Sequence, residues 1–201
     1  MSQKIWKRKF EAGLGLEKAL AATRNPMSPV AIESPPTELE TLLKAEVGGD
    51  GFTLASFTAQ DAWELGHLLH ARLLPFTPSR PALISISLAS GSVLYQSATG
   101  SGIAPDNSVW VARKRATVLR FGVSSWLMGR KFQGDEAAFA VKFGLGPEKA
   151  GEYAIHGGGV PIRVTGVEGV VAVVVVSGLK QHEDHGVVAE VIRDNWEPVE
   201  A

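Results

Sequence analysis

Apolar residues along this chain fall into two rhythms, one near 3.6 and one of short continuous runs, and the two alternate in blocks. Leu39, Leu42 and Leu43 follow Thr37, a good helix cap, and predict a short helix that ends at Gly48-Gly49-Asp50-Gly51. Ala62, Leu65, Leu69 and Leu73 keep the helical period behind a second cap, Thr58-Ala59-Gln60-Asp61. After a proline-punctuated connection over 75–81, residues 82–88 and 92–96 read as strands around the turn Ala89-Ser90-Gly91, a hairpin. Asp106 or Asn107 opens a third helix reaching about Arg120, and a further helical segment after Gly122 carries Trp126, Leu127 and Met128. A short helix is expected over 136–143. Strands follow over 161–165 and 170–176, joined through 166–169. The last helix is expected from about Glu183 to Trp196, with Val187, Val188, Val191 and Ile192 facing inward.

This order lacks the β-α-β alternation of a doubly wound sheet, so it predicts an α+β fold with helices packed on an antiparallel sheet. The 201 residues suit one core, and 45% apolar with 20% charged residues is ordinary globular composition. A formal net charge of −1 gives no electrostatic reason to expect nucleic acid or an anionic membrane. The absence of cysteine removes disulfides, thiolate metal ligands and a thiol nucleophile, and it fits a reducing, cytoplasmic setting. The longest apolar run, 170–176, is far below the roughly 20 residues that span a bilayer.

The N-terminus reads differently. Lys4, Lys7, Arg8 and Lys9 flank Trp6 and Phe10, and Leu14, Leu16 and Leu20 follow at loosely helical intervals. Glu11 and Glu17 interrupt the positive face, which argues against a transit peptide and for a helical extension. Asn25-Pro26 and Ser34-Pro35-Pro36 mark a linker. The expected organisation is therefore an extension and linker over 1–36 and a domain over 37–201, with the extension dispensable for folding of the core.

Candidate chemistry concentrates at two places. Arg113, Lys114, Arg115 and Arg120 stand beside Trp110 on the third helix, and cations at that spacing can bind a carboxylate or phosphate or serve as a subunit interface. Ser124 and Ser125 would add hydroxyls at the next helix start. His156-Gly157-Gly158-Gly159 is the second place. Successive glycine N–H groups can form an anion nest, and glycines equally permit a tight strand entry. The same letters occur in the oxyanion loop of α/β-hydrolases, but Gly-x-Ser-x-Gly is missing. Glu64, His67 and His70 share a helical face, and a Glu-x-x-His pair is half of a di-iron carboxylate set; no second pair is evident, and these residues are expected beside the core, partly in solvent. His182 and His185 could hold a metal with His156, although an acid-rich helix start explains the acids between them equally well. No metal is assigned.

Taken together, Asn107-x-x-Trp110-x-x-Arg113-Lys114-Arg115, Val118-x-Arg120-Phe121-Gly122-x-Ser124-Ser125, the His156 glycine turn, and Val176 to Leu179 with Asp184-His185 resemble the UPF0303 family. That family lies within the haem-degrading-domain, GlcG- and HbpS-like group, and the resemblance runs from about Glu38 to Trp196. It implies a profilin-like, PAS-like antiparallel sheet of about five strands in a homo-oligomer. It also implies binding of haem or a related tetrapyrrole and assistance in haem degradation, with His156 as axial-ligand candidate and Gly157, Gly158 and Trp110 beside the cofactor. Arg113, Lys114, Arg120, Ser124 and Ser125 are then the candidates for holding an anionic group. Two other readings stay open. One is an enzyme acting on a small anionic metabolite, with His156 or His185 as acid–base. The other is a non-catalytic adaptor, because some fungal relatives are linked to the chaperone machinery for tail-anchored membrane proteins.

Overall fold

The structure, a computed structural model, describes residues 4–46, 51–77 and 79–199. Gly48, Gly49 and Asp50 of the expected helix stop, and Pro78 of the 75–81 connection, lie outside the described residues.

Among the described residues, seven strands form one mixed sheet in the order β4-β3-β6-β5-β2-β1-β7. The hairpin β3 (Leu83–Leu88) and β4 (Val93–Ala98) and the pair β5 (Gly159–Val164) and β6 (Ala172–Ser177) fall where the apolar runs predict them. β6 is buried at all six positions because helices cover both sides of it. Val174 and Val176 enter the core on the side of α3 (Ala59–Leu73) and α8 (Gln181–Asn195), while Val173 and Val175 pack with Val111 and Val118 of α4 (Asp106–Phe121). A strand covered on both faces reads as a continuous apolar run rather than an alternation, which is the pattern of 170–176.

The strand count departs from the expected five. β1 (Ile5–Arg8), β2 (Thr53–Leu54) and β7 (Trp196–Val199) extend the sheet beyond β5. β1 runs parallel to β2, and β2 parallel to β5, so the sheet is not wholly antiparallel. These strands hold two to four residues each, too few for a period-2 pattern to show. The sequence 4–10 imitates an amphipathic helix only because lysine and arginine surround Trp6.

Residues 1–36 were expected to be a separable extension, and the packing differs. Trp6 is buried, β1 lies between β2 and β7, and Arg8 pairs with Asp61 at 3.0 Å. α1 (Leu14–Arg24) lies along α3, held there by Glu64. That side chain is fully buried and accepts the backbone N–H groups of Gly13 (2.5 Å) and Gly15 (2.8 Å). A carboxylate on the free N–H groups of a helix start satisfies donors that have no intrahelical partner. Glu64 is thus a helix anchor, not the half-solvated residue expected beside the core. The segment after α1 has no regular structure but is laid down: Trp126 donates its indole N–H to the Pro36 carbonyl (3.0 Å), and Arg72 donates to the carbonyls of Val30 and Ala31.

α2 (Leu39–Glu46), α5 (Ser125–Lys131), α6 (Glu136–Lys142) and α7 (Pro147–Ala150) complete the chain. Phe121, Phe132, Phe139, Phe143 and Tyr153 form an aromatic cluster under α6. This cluster fixes where α6 presents Glu136 to the candidate site.

Candidate functional site

α4 crosses the β5–β6 pair and brings Trp110, Arg113 and Lys114 over the start of β5, where the His156 turn enters the sheet. The turn's glycines are required by close packing. Gly158 has φ +122°, and a Cβ there would stand 2.3 Å from the Val176 carbonyl oxygen and 2.7 Å from Lys114 Nζ. A Cβ on Gly157 would stand 2.2 Å from the Gln181 carbonyl oxygen. Two of the three N–H groups that could have formed a nest are used internally. Gly157 donates to Gln181 Oε1 (3.3 Å), and Gly159 donates to Ser125 Oγ (2.9 Å).

The cations of α4 do not converge. Lys114 is turned inward, where its ammonium donates to Asp184 Oδ2 (2.9 Å) and to the Val176 carbonyl (3.1 Å), with both ionic side chains 4% exposed. Burial pushes the Asp184 carboxyl above its usual range, opposed by Lys114 and by backbone donors from Leu179 and Gly178. Arg115 reaches the other way, to Ser87 Oγ and the Leu88 carbonyl. Arg120 lies over the rings of Phe121 and Tyr153. Only Arg113 stays with Trp110, its guanidinium carbon 4.7 Å from the ring centre, while it also donates to the Tyr153 carbonyl and to Glu136 Oε1. Ser124 and Ser125 are fully buried. Ser124 caps α5 by accepting the Leu127 N–H, and Ser125 accepts from Gly159.

Trp110 and His156 do come together. Their rings meet edge to face at 5.0 Å, and both line an open cleft of about 330 Å³ with Ala104, Asp106, Asn107 and Gln181. Lys114 and Asp184 form part of its floor. The His156 side chain is 39% exposed, but its Nδ1 is buried and lies 3.5 Å from Glu136 Oε1. At that distance Nδ1 makes no hydrogen bond among the described residues. Partial burial holds the His156 pKa below its ordinary 6.5, with Glu136 opposing and Lys114 and Arg113 reinforcing the shift. Glu136 was not foreseen, because the sequence separates it from His156 by 20 positions and only the aromatic packing under α6 joins them. His185, the other acid–base candidate, points elsewhere, with Nε2 at 3.2 Å from Glu46 Oε1. His67 packs between Trp63 and Tyr95, and His70 bonds to Ser97 Oγ, so neither joins Glu64 in a ligand set.

Residues 57–193 match the family described as "Haem degrading protein HbpS-like". The chain belongs to that HbpS-like family. Its relatives include a UPF0303 protein of Streptomyces avermitilis, 40% identical over 152 residues that cover 76% of this chain and 88% of the relative. The UPF0303 protein YBR137W of Saccharomyces cerevisiae is 42% identical over 132 residues, covering 66% of this chain and 71% of that one. The crystal structure of Ybr137w superposes with a TM-score of 0.68 at 34% identity over 92% of this chain and 96% of that one. A double mutant of HbpS from Streptomyces reticuli shares the fold, with a TM-score of 0.51 at 16% identity over 84% of this HbpS-like chain and 97% of that one. The matched span contains the whole Trp110–His156 cleft. No helix among the described residues is long and apolar enough to cross a membrane.

Proposed function

We propose that this HbpS-like protein binds haem or a related tetrapyrrole at the Trp110–His156 cleft and acts in haem handling, as its family's description suggests. The observation that carries the reading is the meeting of His156 and Trp110 at one cleft, with His156 Nδ1 3.5 Å from the Glu136 carboxylate. Metal-ligating histidines characteristically give their second nitrogen to a carboxylate, which fixes the tautomer and raises ligand basicity. The depressed pKa keeps the imidazole neutral near pH 7, the form that binds a metal. Trp110 supplies a flat apolar wall, and Arg113, already lying on that wall, is the cation placed to meet a propionate. Iron in such a group would supply redox chemistry, and the chain's own part is to hold and orient it. A cleft this open covers one side of a planar ligand, which favours completion by a second copy of the chain.

The division of the cations weakens the alternative of an enzyme on a small anionic metabolite at this place. Titration of the purified protein with haemin, followed in the Soret region, tests the proposal. The wild type is expected to give a saturable shift, and His156→Ala should change the spectrum while the melting temperature stays within a few degrees. Identical spectra and affinities for wild type and His156→Ala would remove His156 as the ligand.

A further inference from the structure

A second site lies away from the Trp110–His156 cleft. Among the described residues β2 pairs with β5 only at Arg163 and Val164, and the earlier part of β5 has no strand neighbour on that side. Pro161 stands in this gap and, having no N–H, offers no donor there to a further strand. Pro35, Pro36, α2 and α8 line a small, partly open cavity of about 40 Å³ over the gap. One water occupies roughly 10–15 Å³ on this measure, so the space equals about three or four waters, the size of a small organic anion.

The walls are chemically divided. Leu42, Phe52, Val160 and Ala189 are apolar; Arg163, Arg193, His185 and Glu46 are not. Neither arginine has a carboxylate partner among the described residues. Arg163 donates to the Gly122 carbonyl, and Arg193 lies over the Phe52 ring at 5.5 Å. Glu46 Oε1 lies 3.2 Å from His185 Nε2. His185 is 4% exposed, yet among the described residues its Nδ1 has no hydrogen-bond partner, and neither has either carboxylate oxygen of Glu46. Buried polar atoms are almost always satisfied, so such a cluster around a cavity marks a place for a bound polar molecule. Two arginines against one glutamate leave a positive excess, which selects a monoanion. The planar guanidinium matches a carboxylate, and the apolar walls match a short hydrocarbon stub.

We propose that this cavity is a binding site for a short-chain monocarboxylate, held by Arg163 and Arg193 with His185 as a further hydrogen-bonding partner. The site is independent of the haem reading, since it shares no residue with the Trp110–His156 cleft. Calorimetric titration of the full chain with acetate, propionate, hexanoate and inorganic phosphate tests it. Propionate or acetate is expected to bind saturably, hexanoate at least tenfold more weakly for lack of room, and phosphate not measurably. Arg193→Gln, on an exposed stretch of α8, should weaken propionate binding tenfold or more while the melting temperature and haemin titration stay as in wild type. Arg163→Gln is a second variant, read only if it melts near wild type, because it also loses the Gly122 contact. Absence of saturable binding by both short acids, equal binding of phosphate, or unchanged propionate affinity in Arg193→Gln would each overturn the proposal.

Discussion

Lys114 shows how one side chain can look like a ligand residue in sequence and serve the fold in space. It sits among cations on α4, but it is the one that faces the sheet, and its ammonium is the buried partner of Asp184. Removing one member of a buried pair leaves the other charge uncompensated, at a cost of about 3–5 kcal/mol. Lys114→Met should therefore destabilise by that amount in denaturant melts, and adding Asp184→Leu should recover much of the loss. If the single variant melts like wild type, the pair is not holding the α4–β6–α8 junction. Two histidines carry the second consequence at this scale. Burial lowers the pKa of His70, with His67 adding to the effect, and burial also lowers that of His156. In the folded state both bind protons less readily than in the unfolded chain. The unfolded state thus takes up more protons as the pH falls through about 6.5, and stability must fall with it until the folded-state pKa values are passed. Melting temperatures measured from pH 7.5 to 5.5 should decrease, and His70→Gln should flatten the slope. His156 contributes less, because its side chain is more than a third exposed and solvent screens it.

At the scale of elements, the N-terminal strand decides how the sheet ends. β1 pairs with β2 on one side and with all four residues of β7 on the other, and the Trp6 carbonyl accepts the Ala55 N–H at 2.8 Å. Deleting 1–36 would strand β7, uncover Phe52 and Trp196, and free Glu64 from α1. Loss of a buried tryptophan alone costs about 3–5 kcal/mol, or about 6–20 °C in a chain of this size. Truncation at 36 should lower the melting temperature by at least 10 °C or give insoluble protein, and Trp6→Ala should reproduce a large part of it. A truncated chain that melts within a few degrees of full length would return the N-terminus to the status of an extension. The long helices and the four longer strands were legible because each contains several repeats of its own period and a cap or turn residue at its end, as at Thr58 and Gly122. β1, β2 and β7 were not legible, since two to four residues cannot establish a period, and their pairing is long-range. Trp110 and His156 were each singled out in the sequence, but their ring contact is visible only in the folded chain. The role of Glu136 depends on an aromatic cluster assembled from five separated positions, for which no local sequence pattern exists.

For the whole molecule, the open cleft and the surface composition bear on assembly. Trp6, Trp126 and Trp196 are buried, so only two of the five tryptophans, Trp63 and Trp110, remain partly available to a partner. The argument for a homo-oligomer therefore rests on the region around Trp110 rather than on tryptophan content. Val109 and Val141 are exposed on α4 and α6, at 55% and 82%, on the two helices that also carry Trp110, Arg113 and Glu136. Exposed valines on the helices that flank a half-open aromatic cleft suit a contact between copies, where tryptophan and arginine are favoured anchors. Multi-angle light scattering at micromolar concentration should give a mass several times 21.4 kDa. Replacing Val109 and Val141 together by aspartate should shift that mass toward one chain, with secondary structure unchanged by circular dichroism. If one side of the tetrapyrrole is covered by a neighbouring copy, the same double variant should bind haemin at least tenfold more weakly, although neither valine lines the cleft. A monomeric wild type, or a dissociated variant with undiminished haemin affinity, would show that each cleft works alone.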